Sequence, residues 1–520
     1  MTLPARRAAA HLALIGLAGV AVYANALRGE FVYDDEFLIL RNRHVQAAAL
    51  GDMFTSSTTA GAYRASNFYR PLQLLAYAAV YRASGLRVVA YHLLNVGLHV
   101  ANALLLYGLL WLLMGAPWTA LAAALLFVVH PVHTSAVAYI SGTADPLACG
   151  FALLALLCHI REDRPRLYRP LEALCVAGAL LSKEVMIMLP GLMVIVDAYR
   201  RVPLRARWPR YLPALAIVAI YLLARLTVFN FVGSLNPYGE ANVYTEHLSN
   251  RVFTFLAFLG EYAKVLLLPL SLHYDRVQVV FPSLAIPAVF LPLAGAVALS
   301  VAAARSWRGA RTLFFGWTWF LVALAPTSGI ALPVNGFAKD HWLYVPAIGF
   351  CAVLATGVAR LGKLRWPVLL ALAAGWGTLT VLHNRAWHDP VALYTHILSQ
   401  NPKLARIHNN LAMAYADRRQ RDLAERHYTQ AITLDDSYAE TRYNLGRLYL
   451  EQGRVQEALA QFTRALELEP DFLYAHVTLE ELYSRLGRVD DARREAQRIQ
   501  EIASRAPQPA PRAGTNRRAQ

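Results

Sequence analysis

The chain has 520 residues, of which 57% are hydrophobic and only 16% charged, and its mean hydropathy is +0.34. Soluble globular chains carry about 25% charged residues, so these proportions exclude an ordinary soluble protein and place much of the chain in lipid. The formal net charge of +16 does not argue for nucleic acid, because the basic residues sit in short loops between apolar runs rather than along one groove-lining face.

Apolar runs of near-bilayer length predict spans at 8–27, 91–113, 117–130, 145–160, 170–183, 184–199, 211–229, 285–303, 312–332, 342–361 and 366–383. Some of these eleven are short enough to need tilt or extension. Arg6 and Arg7 precede the first run and put the N-terminus in the cytoplasm. Arginine-rich junctions at 161–169, 200–210, 305–311 and 360–365 then all fall on the cytoplasmic side, provided 251–270 does not cross. That segment carries Glu261 and Lys264 and reads as an interfacial or re-entrant helix. The same parity puts 28–90, 131–144, 230–284, 333–341 and everything after His383 outside. The first run also has the form of a signal peptide ending in Ala24-Asn25-Ala26, but it is expected to be retained, because the later spans hold the chain in the membrane. Cys149, Cys158, Cys175 and Cys351 lie in apolar runs and read as small core residues.

Polar groups inside spans or at their lips are costly and so mark function. On the outer side they converge. Asp34 and Asp35 stand in GEFVYDDEFLI (29–39), just beyond the first span. His130, His133 and Asp145 follow in HPVHTSAVAYISGTADPL (130–147), and Lys183-Glu184 occupies a tight outer turn. Arg225 lies late in its span, and His273-Tyr274-Asp275 and Lys339-Asp340-His341 complete the set. Carboxylates, imidazoles and cations on one membrane face suit proton abstraction beside a bound phosphate. Plainer readings stand beside this one. The aspartate pair can be a solvated lip, Lys183-Glu184 a local ion pair, and Arg225 a side chain snorkelling to the interface. For His130 and His133, structural hydrogen bonding is favoured over metal binding, since no third ligand is adjacent and Pro131 breaks the helix. No metal is assigned, although an Asp-Asp pair can hold a divalent ion.

Beyond His383 the chain becomes charged and periodic. Leu411, Leu445 and Leu479 are 34 apart, as are Tyr415, Tyr449 and Tyr483, and Ala424, Ala458 and Ala492. Tyr428, Phe462 and Ala496 continue the series. This is the tetratricopeptide spacing: paired antiparallel helices, small residues where they cross, aromatics between repeats. It gives about three repeats over 389–500, led by a lone helix at 389–401. Asp436 departs from the usual proline, and Glu480 from the usual glycine or alanine, so the last repeat is expected to be a cap. Stacked pairs form a concave surface for extended peptide, although a fold-stabilising appendage is the plainer alternative. Residues 501–520 should be a disordered tail. The expected fold is all-α: a polytopic bundle over 1–383, with outer loop 28–90, and then a soluble α-solenoid.

Several segments together carry a family likeness: FVYDDEFLILRN (31–42), YRPLQLLAYAAVY (69–81), YHLLNVGLHVANALLLY (91–107), HPVHTSAVAYISGTADPLA (130–148), LLSKEVMIMLPGLMVIVDAY (180–199) and DHWLYVPAIGFC (340–351). The chain resembles the transmembrane and tetratricopeptide-repeat O-mannosyltransferases of the C-type membrane glycosyltransferase superfamily, in a bacterial-type form. The resemblance implies a polyprenyl-phosphate-linked sugar as donor and a hydroxyl, typically protein Ser or Thr, as acceptor held by the repeats. It also implies an acidic general base in the first outer loop, Asp35 or Asp34, and an outer-face site in a bacterial inner membrane. Sequences of that family usually show a glutamate and a basic residue where this chain has Ser135 and Thr143, and Glu-Arg where it has Asp340-His341. Donor phosphate and sugar would then fall to Lys183, Glu184, Arg225, Lys339 and a protonated His341, with His130, His133 and Asp145 near by. A non-catalytic repeat scaffold, and a transferase acting on lipid or cell-wall polymer, remain alternatives.

Overall fold

The computed structural model describes residues 4–64, 66–232, 242–272, 279–334 and 338–505. His273-Tyr274-Asp275 lies outside the described residues, as does the expected tail beyond 505; residues 501–505, expected in that tail, instead continue the last helix, Val489–Arg505. Among the described residues there are helices and turns but no strand. The chain divides into two compact units, residues 1–393 and 394–520.

The first unit contains α1 (Ala5–Tyr23), α2 (Pro71–Ser84), α3 (Val88–Met114), α4 (Pro117–Val129), α5 (Ala144–His159), α6 (Pro165–Ser182), α7 (Leu189–Tyr199), α8 (Leu204–Leu226), α9 (Leu248–Leu267), α10 (Pro287–Ser306), α11 (Thr312–Leu324), α12 (Pro346–Ala359) and α13 (Arg365–Asn384). Prolines open α2, α4, α6, α10 and α12, where the missing N–H costs nothing and the fixed φ is already helical. This is a multi-pass membrane protein, but the eleven expected spans are not equivalent. Among the described residues six helices are long and apolar enough to cross: Ala5–Arg28, Val88–Met114, Ile140–His159, Leu204–Leu226, Pro287–Ser306 and Gly362–Trp387. A seventh is broken, with Pro117–Val129 and Pro131–Val137 bent by 51° where Pro131 cannot continue the helix. Of the remaining apolar runs, 170–183 lies, but for Lys183, within the 18-residue α6, and the others form shorter helices bounded by 3₁₀ turns at Glu184–Met188, Ala325–Thr327 and Asp340–Leu343.

The centre of the unit is α4, whose residues from Thr119 to Val129 are all buried, as an apolar-all-round helix must be. It packs with α1, α3 and α12, and the residues around it form one apolar core. Where α11 meets α12, Gly316 and Gly349 face each other so closely that a methyl on either would overlap the other's backbone, a small-residue crossing of the kind lipid favours. Helix α9, the segment read as interfacial, buries Ala257, Phe258, Leu259 and Tyr262 on one side and carries a solvent-facing Lys264–Glu261 pair at 2.6 Å on the other.

In the second unit, α14 (Pro390–Gln400), which begins at the end of the first, leads to three helix pairs: α15 (Ala405–Asp417) with α16 (Arg421–Leu434), α17 (Ala439–Glu451) with α18 (Val455–Leu468), and α19 (Leu473–Arg485) with α20 (Val489–Arg505). The periodic residues are its core: Leu411, Leu445, Leu479, Ala424, Ala458, Tyr428 and Phe462 are all buried. Asp436 has a visible role. His408 and His476 each place Nε2 on a carbonyl six residues earlier, Pro402 at 3.0 Å and Pro470 at 2.9 Å. Arg442 occupies the equivalent position in the middle repeat and donates to the Asp436 carboxylate at 2.7 Å. Arginine and aspartate thus replace histidine and proline as a pair. Glu480 is explained similarly. A side chain at Gly446 would strike Phe462, but Ala496 stands where Phe462 stands one repeat earlier, so the last pair has no need of glycine.

Candidate active site

The acidic segment is a strained turn. Tyr33 has a left-handed backbone with φ 54°, uncommon for a bulky residue and characteristic of functional loops. After Asp34 and Asp35 comes a π-helical turn, Glu36–Leu40, closed by the Arg41 amide on the Glu36 carbonyl at 2.8 Å. Such turns recur at functional sites. Glu36 is committed to Arg41 by an ion pair at 2.6 Å.

The two aspartates differ. Asp35 is fully buried, and both carboxylate oxygens are engaged. One accepts from the Val32 amide at 2.8 Å, and the other accepts from the Ser141 amide at 2.8 Å and from the Ser141 hydroxyl. Burial pushes its pKa up to about 7, against the opposing pull of those hydrogen bonds. Asp34 is half-buried, and its amide donates to the Tyr139 hydroxyl at 3.1 Å. Tyr139 in turn stacks on Trp387 with ring centroids 4.9 Å apart.

Ser141 reaches Asp35 because α2 and α3 hold the 3₁₀ turn Ile140–Thr143 from behind. Asn95 donates to the carbonyls of Tyr139 at 2.9 Å and Ile140 at 3.2 Å, and Asn102 to that of Pro146 at 2.7 Å. From α2, Gln73 donates to the Ser141 carbonyl and the Tyr77 hydroxyl to the Ile140 carbonyl, each at 2.9 Å. In lipid these carbonyls have no water to turn to, which explains the polar residues within an apolar span. Thr143 is spent in the same net, its hydroxyl donating to the Ile140 carbonyl at 2.7 Å. Gly142 is required here, since a Cβ would lie 2.8 Å from the carbonyl oxygens of both Ser135 and Ala136.

Two salt bridges stand together where α5 and α2 begin and α6 ends. Lys183 Nζ contacts Asp145 at 2.6 Å, both nearly buried. Arg70, just before α2, grips Glu184 with two bonds of 2.9 and 2.6 Å. Lys183-Glu184 is therefore not a local pair, because each residue holds a partner from elsewhere in the chain. His341 is near Lys183, Lys339 and Arg70, and desolvation together with those cations pushes its pKa well below the usual imidazole value. Its surroundings therefore oppose the positive charge expected of it.

Other expected residues lie apart from this work. Arg225 donates to the carbonyls of Asn67 and Phe229, so it neither snorkels nor presents its charge, but staples the segment before Arg70 to the end of α8. Asn67's neighbour in that segment, Tyr69, stacks on Phe229 at 4.2 Å. His130 is wholly buried, with Nε2 on the Leu266 carbonyl at 3.0 Å and Nδ1 accepting from the Val132 amide at 3.1 Å, which is structural hydrogen bonding. His133 is equally buried among the rings of Phe127, Tyr344 and His99, at centroid distances of 4.4, 4.8 and 5.2 Å. Among the described residues no group of His, Cys, Asp and Glu is arranged to hold a metal ion. Arg70, Tyr139 and Ser141 are the residues that sequence reasoning missed. None of the three left a signal of its own: Arg70 is one of seven arginines between residues 28 and 90.

Comparison with known proteins agrees with these features. Two tetratricopeptide-repeat family models match residues 403–469 and 449–510. Human protein O-mannosyl-transferase TMTC4 is 26% identical over 483 residues, covering 80% of this chain and 65% of its own. Mouse protein O-mannosyl-transferase TMTC3 is 26% identical over 459 residues, covering 79% of this chain and 50% of its own. The chain thus spans about half to two-thirds of the length of these relatives. Among solved structures, ArnT from Cupriavidus metallidurans bound to undecaprenyl phosphate aligns with TM-score 0.42 at 17% identity, over 92% of this chain and 81% of that one. The chain is a membrane protein with tetratricopeptide repeats, homologous to the TMTC protein O-mannosyl-transferases.

Proposed function

We propose that the chain is a glycosyltransferase that moves a monosaccharide, mannose or a close analogue, from a polyprenyl-phosphate donor to a hydroxyl acceptor, a protein Ser or Thr. The observation that carries this reading is the strained Asp34-Asp35 turn, pinned by Ser141 at the lip of the bundle, with the Arg70–Glu184 and Lys183–Asp145 pairs on the flanking helices. In the proposed displacement the acceptor oxygen attacks the anomeric carbon while the bond from that carbon to the lipid-phosphate oxygen breaks. Asp34, the half-buried carboxylate, takes the acceptor's proton. The phosphate leaves as an anion whose charge is met by Arg70, Lys183 and Lys339. Asp35 is a positioning residue, since its oxygens are turned onto the backbone of the loop it holds. Inversion at the anomeric carbon follows from the family resemblance alone. The reaction belongs on the face opposite the arginine-rich junctions, in a bacterial inner membrane with the N-terminus cytoplasmic by the distribution of basic residues, and the repeats hold the acceptor polypeptide.

The departures at Ser135 and Thr143 favour a second reading, a non-catalytic scaffold. The two separate on ligand protection. Polyprenyl phosphate should raise the thermal midpoint of the purified chain, by an amount that follows ligand concentration, if the donor site exists. A scaffold should show no such shift. Tyr139→Phe supplies a finer check. Loss of the hydroxyl that holds the Asp34 amide should lower turnover about fivefold, the worth of a hydrogen bond of about 1 kcal/mol, with little change in donor KM.

A further inference from the structure

The other end of α5 carries a second polar site, unrelated to the proposed transfer chemistry. Asp145 and His159 lie at opposite ends of that helix, about 20 Å apart at 1.5 Å per residue. His159 is fully buried between two carboxylates, with Nδ1 to Glu172 at 3.0 Å and Nε2 to Asp197 at 3.1 Å. Three arginine-rich junctions gather there. Arg210 pairs with Glu172 at 2.5 Å, Arg200 reaches Asp197 at 3.5 Å and Glu162 at 3.6 Å, and Arg207 pairs with Glu162 and reaches Asp197 at 3.7 Å. Tyr211 also donates to Asp197, at 2.8 Å. Arg201 and Arg311 tie the remaining junction in through the carbonyls of Arg308 at 3.2 Å and Tyr199 at 2.5 Å. A distribution of positive charge set only by membrane topology requires none of this convergence.

Between α6 and α8 the cluster encloses a cavity of about 250 Å³ lined by Arg169, Glu172, Val176, Arg207, Arg210 and Ala214. Its lining sets three arginines beside the apolar Val176 and Ala214. Glu172 is the one carboxylate in the lining, and it is already held by His159 and Arg210; Arg207 is paired with Glu162, so the positive excess of the lining rests on the exposed Arg169. Trp208, between the two lining arginines, is 57% exposed, and Leu171 and Leu174 on α6 face outward at 40% and 66%. An exposed tryptophan beside exposed leucines marks the depth at which headgroup meets acyl chain. The cavity is slightly smaller than the pockets that enclose whole small ligands, about 300–1,000 Å³, and suits a headgroup whose tails remain in the bilayer.

We propose that this cavity binds the phosphate of an anionic phospholipid headgroup, between α6 and α8 on the arginine-rich face. The exposed Arg169 meets the phosphate oxygens first, with Arg207 turning to them from its pair with Glu162, and Val176 and Ala214 receive the start of the lipid chains. The proposal stands or falls apart from the transferase reading.

The test uses the full-length protein in detergent, with lipid retention measured by native mass spectrometry. Dioleoyl-phosphatidylglycerol should be retained at least fivefold over dioleoyl-phosphatidylcholine. Arg169→Gln/Arg207→Gln should bring the two near parity, whereas Arg360→Gln, at another junction, should leave the preference unchanged. Arg169→Gln alone, at an exposed position, should cut retention at least twofold and keeps the test valid if the double variant does not fold. Inorganic phosphate added at millimolar concentration separates the sources. If it displaces the lipid, free phosphate is a ligand as well, and if it does not, the site requires the lipid. Equal retention of the two lipids, or a preference that survives Arg169→Gln, would overturn the proposal.

Discussion

Asp34→Ala should lower sugar transfer by about 10²–10⁴-fold, the range over which a positioned general base acts, with donor affinity and thermal midpoint close to wild type. Asp34 is half-buried, and the bond of its amide to Tyr139 does not depend on its side chain, so that anchor of the loop is kept. Asp35→Ala should behave differently. It removes the acceptor for the Val32 amide and for both donors of Ser141, and each buried donor left unsatisfied costs about 1–3 kcal/mol. Activity and stability should therefore fall together in Asp35→Ala and separately in Asp34→Ala. Measured kcat beside thermal midpoint distinguishes them, and a stable, inactive Asp35→Ala with an active Asp34→Ala would reverse the assignment.

Asp35 also gives the pH dependence a definite sign. Its folded pKa of about 7 lies above the ordinary carboxyl value of 3.8, so between those values the folded state holds a proton that the unfolded chain releases. Stability therefore declines as pH rises from about 4 to about 7 and levels off above, because there both states are ionised. In Asp35→Asn this contribution should vanish, which a comparison of thermal midpoints across that pH range would read.

Lys183→Ala carries the second large effect. Lys183 and Asp145 are buried together at 2.6 Å, and removing one partner of such a pair leaves an uncompensated charge at a cost of about 3–5 kcal/mol. The variant should unfold at markedly lower temperature and lose protection by polyprenyl phosphate. Lys183→Ala/Asp145→Ala should regain much of the stability, since the stranded charge is gone, but not the protection. Recovery of both would show the pair to be structural only.

These expectations depend on contacts that the sequence shows to different degrees. The repeats were legible because each position recurs every 34 residues, and a helix pair that buries one face must repeat its small and large residues at that interval. The spans were legible as apolar runs, but hydropathy sees composition and not the 3₁₀ turns at 184–188 and 325–327 that divide some runs into shorter helices. The aspartate pair stood out because adjacent carboxylates beside a span need a reason. Its division of labour did not, because Ser141 lies 106 residues away and nothing local announces it. Arg70 escaped for the same reason, with its partner Glu184 114 residues distant. His130 and His133 were conspicuous as polar residues near a span end, yet their burial among backbone and rings is a matter of packing that spacing does not encode.

The most direct measurement follows radiolabel from donor to acceptor. The full chain, reconstituted in liposomes, would receive polyprenyl-phosphate-[³H]mannose and a mixed bacterial envelope-protein extract, and the label would then be partitioned between organic solvent and precipitated protein. The proposed function expects label to move into the protein fraction with wild type and to stay in the solvent fraction with Asp34→Ala. Folded wild type that leaves all label in the donor, or Asp34→Ala that transfers it equally well, would contradict it.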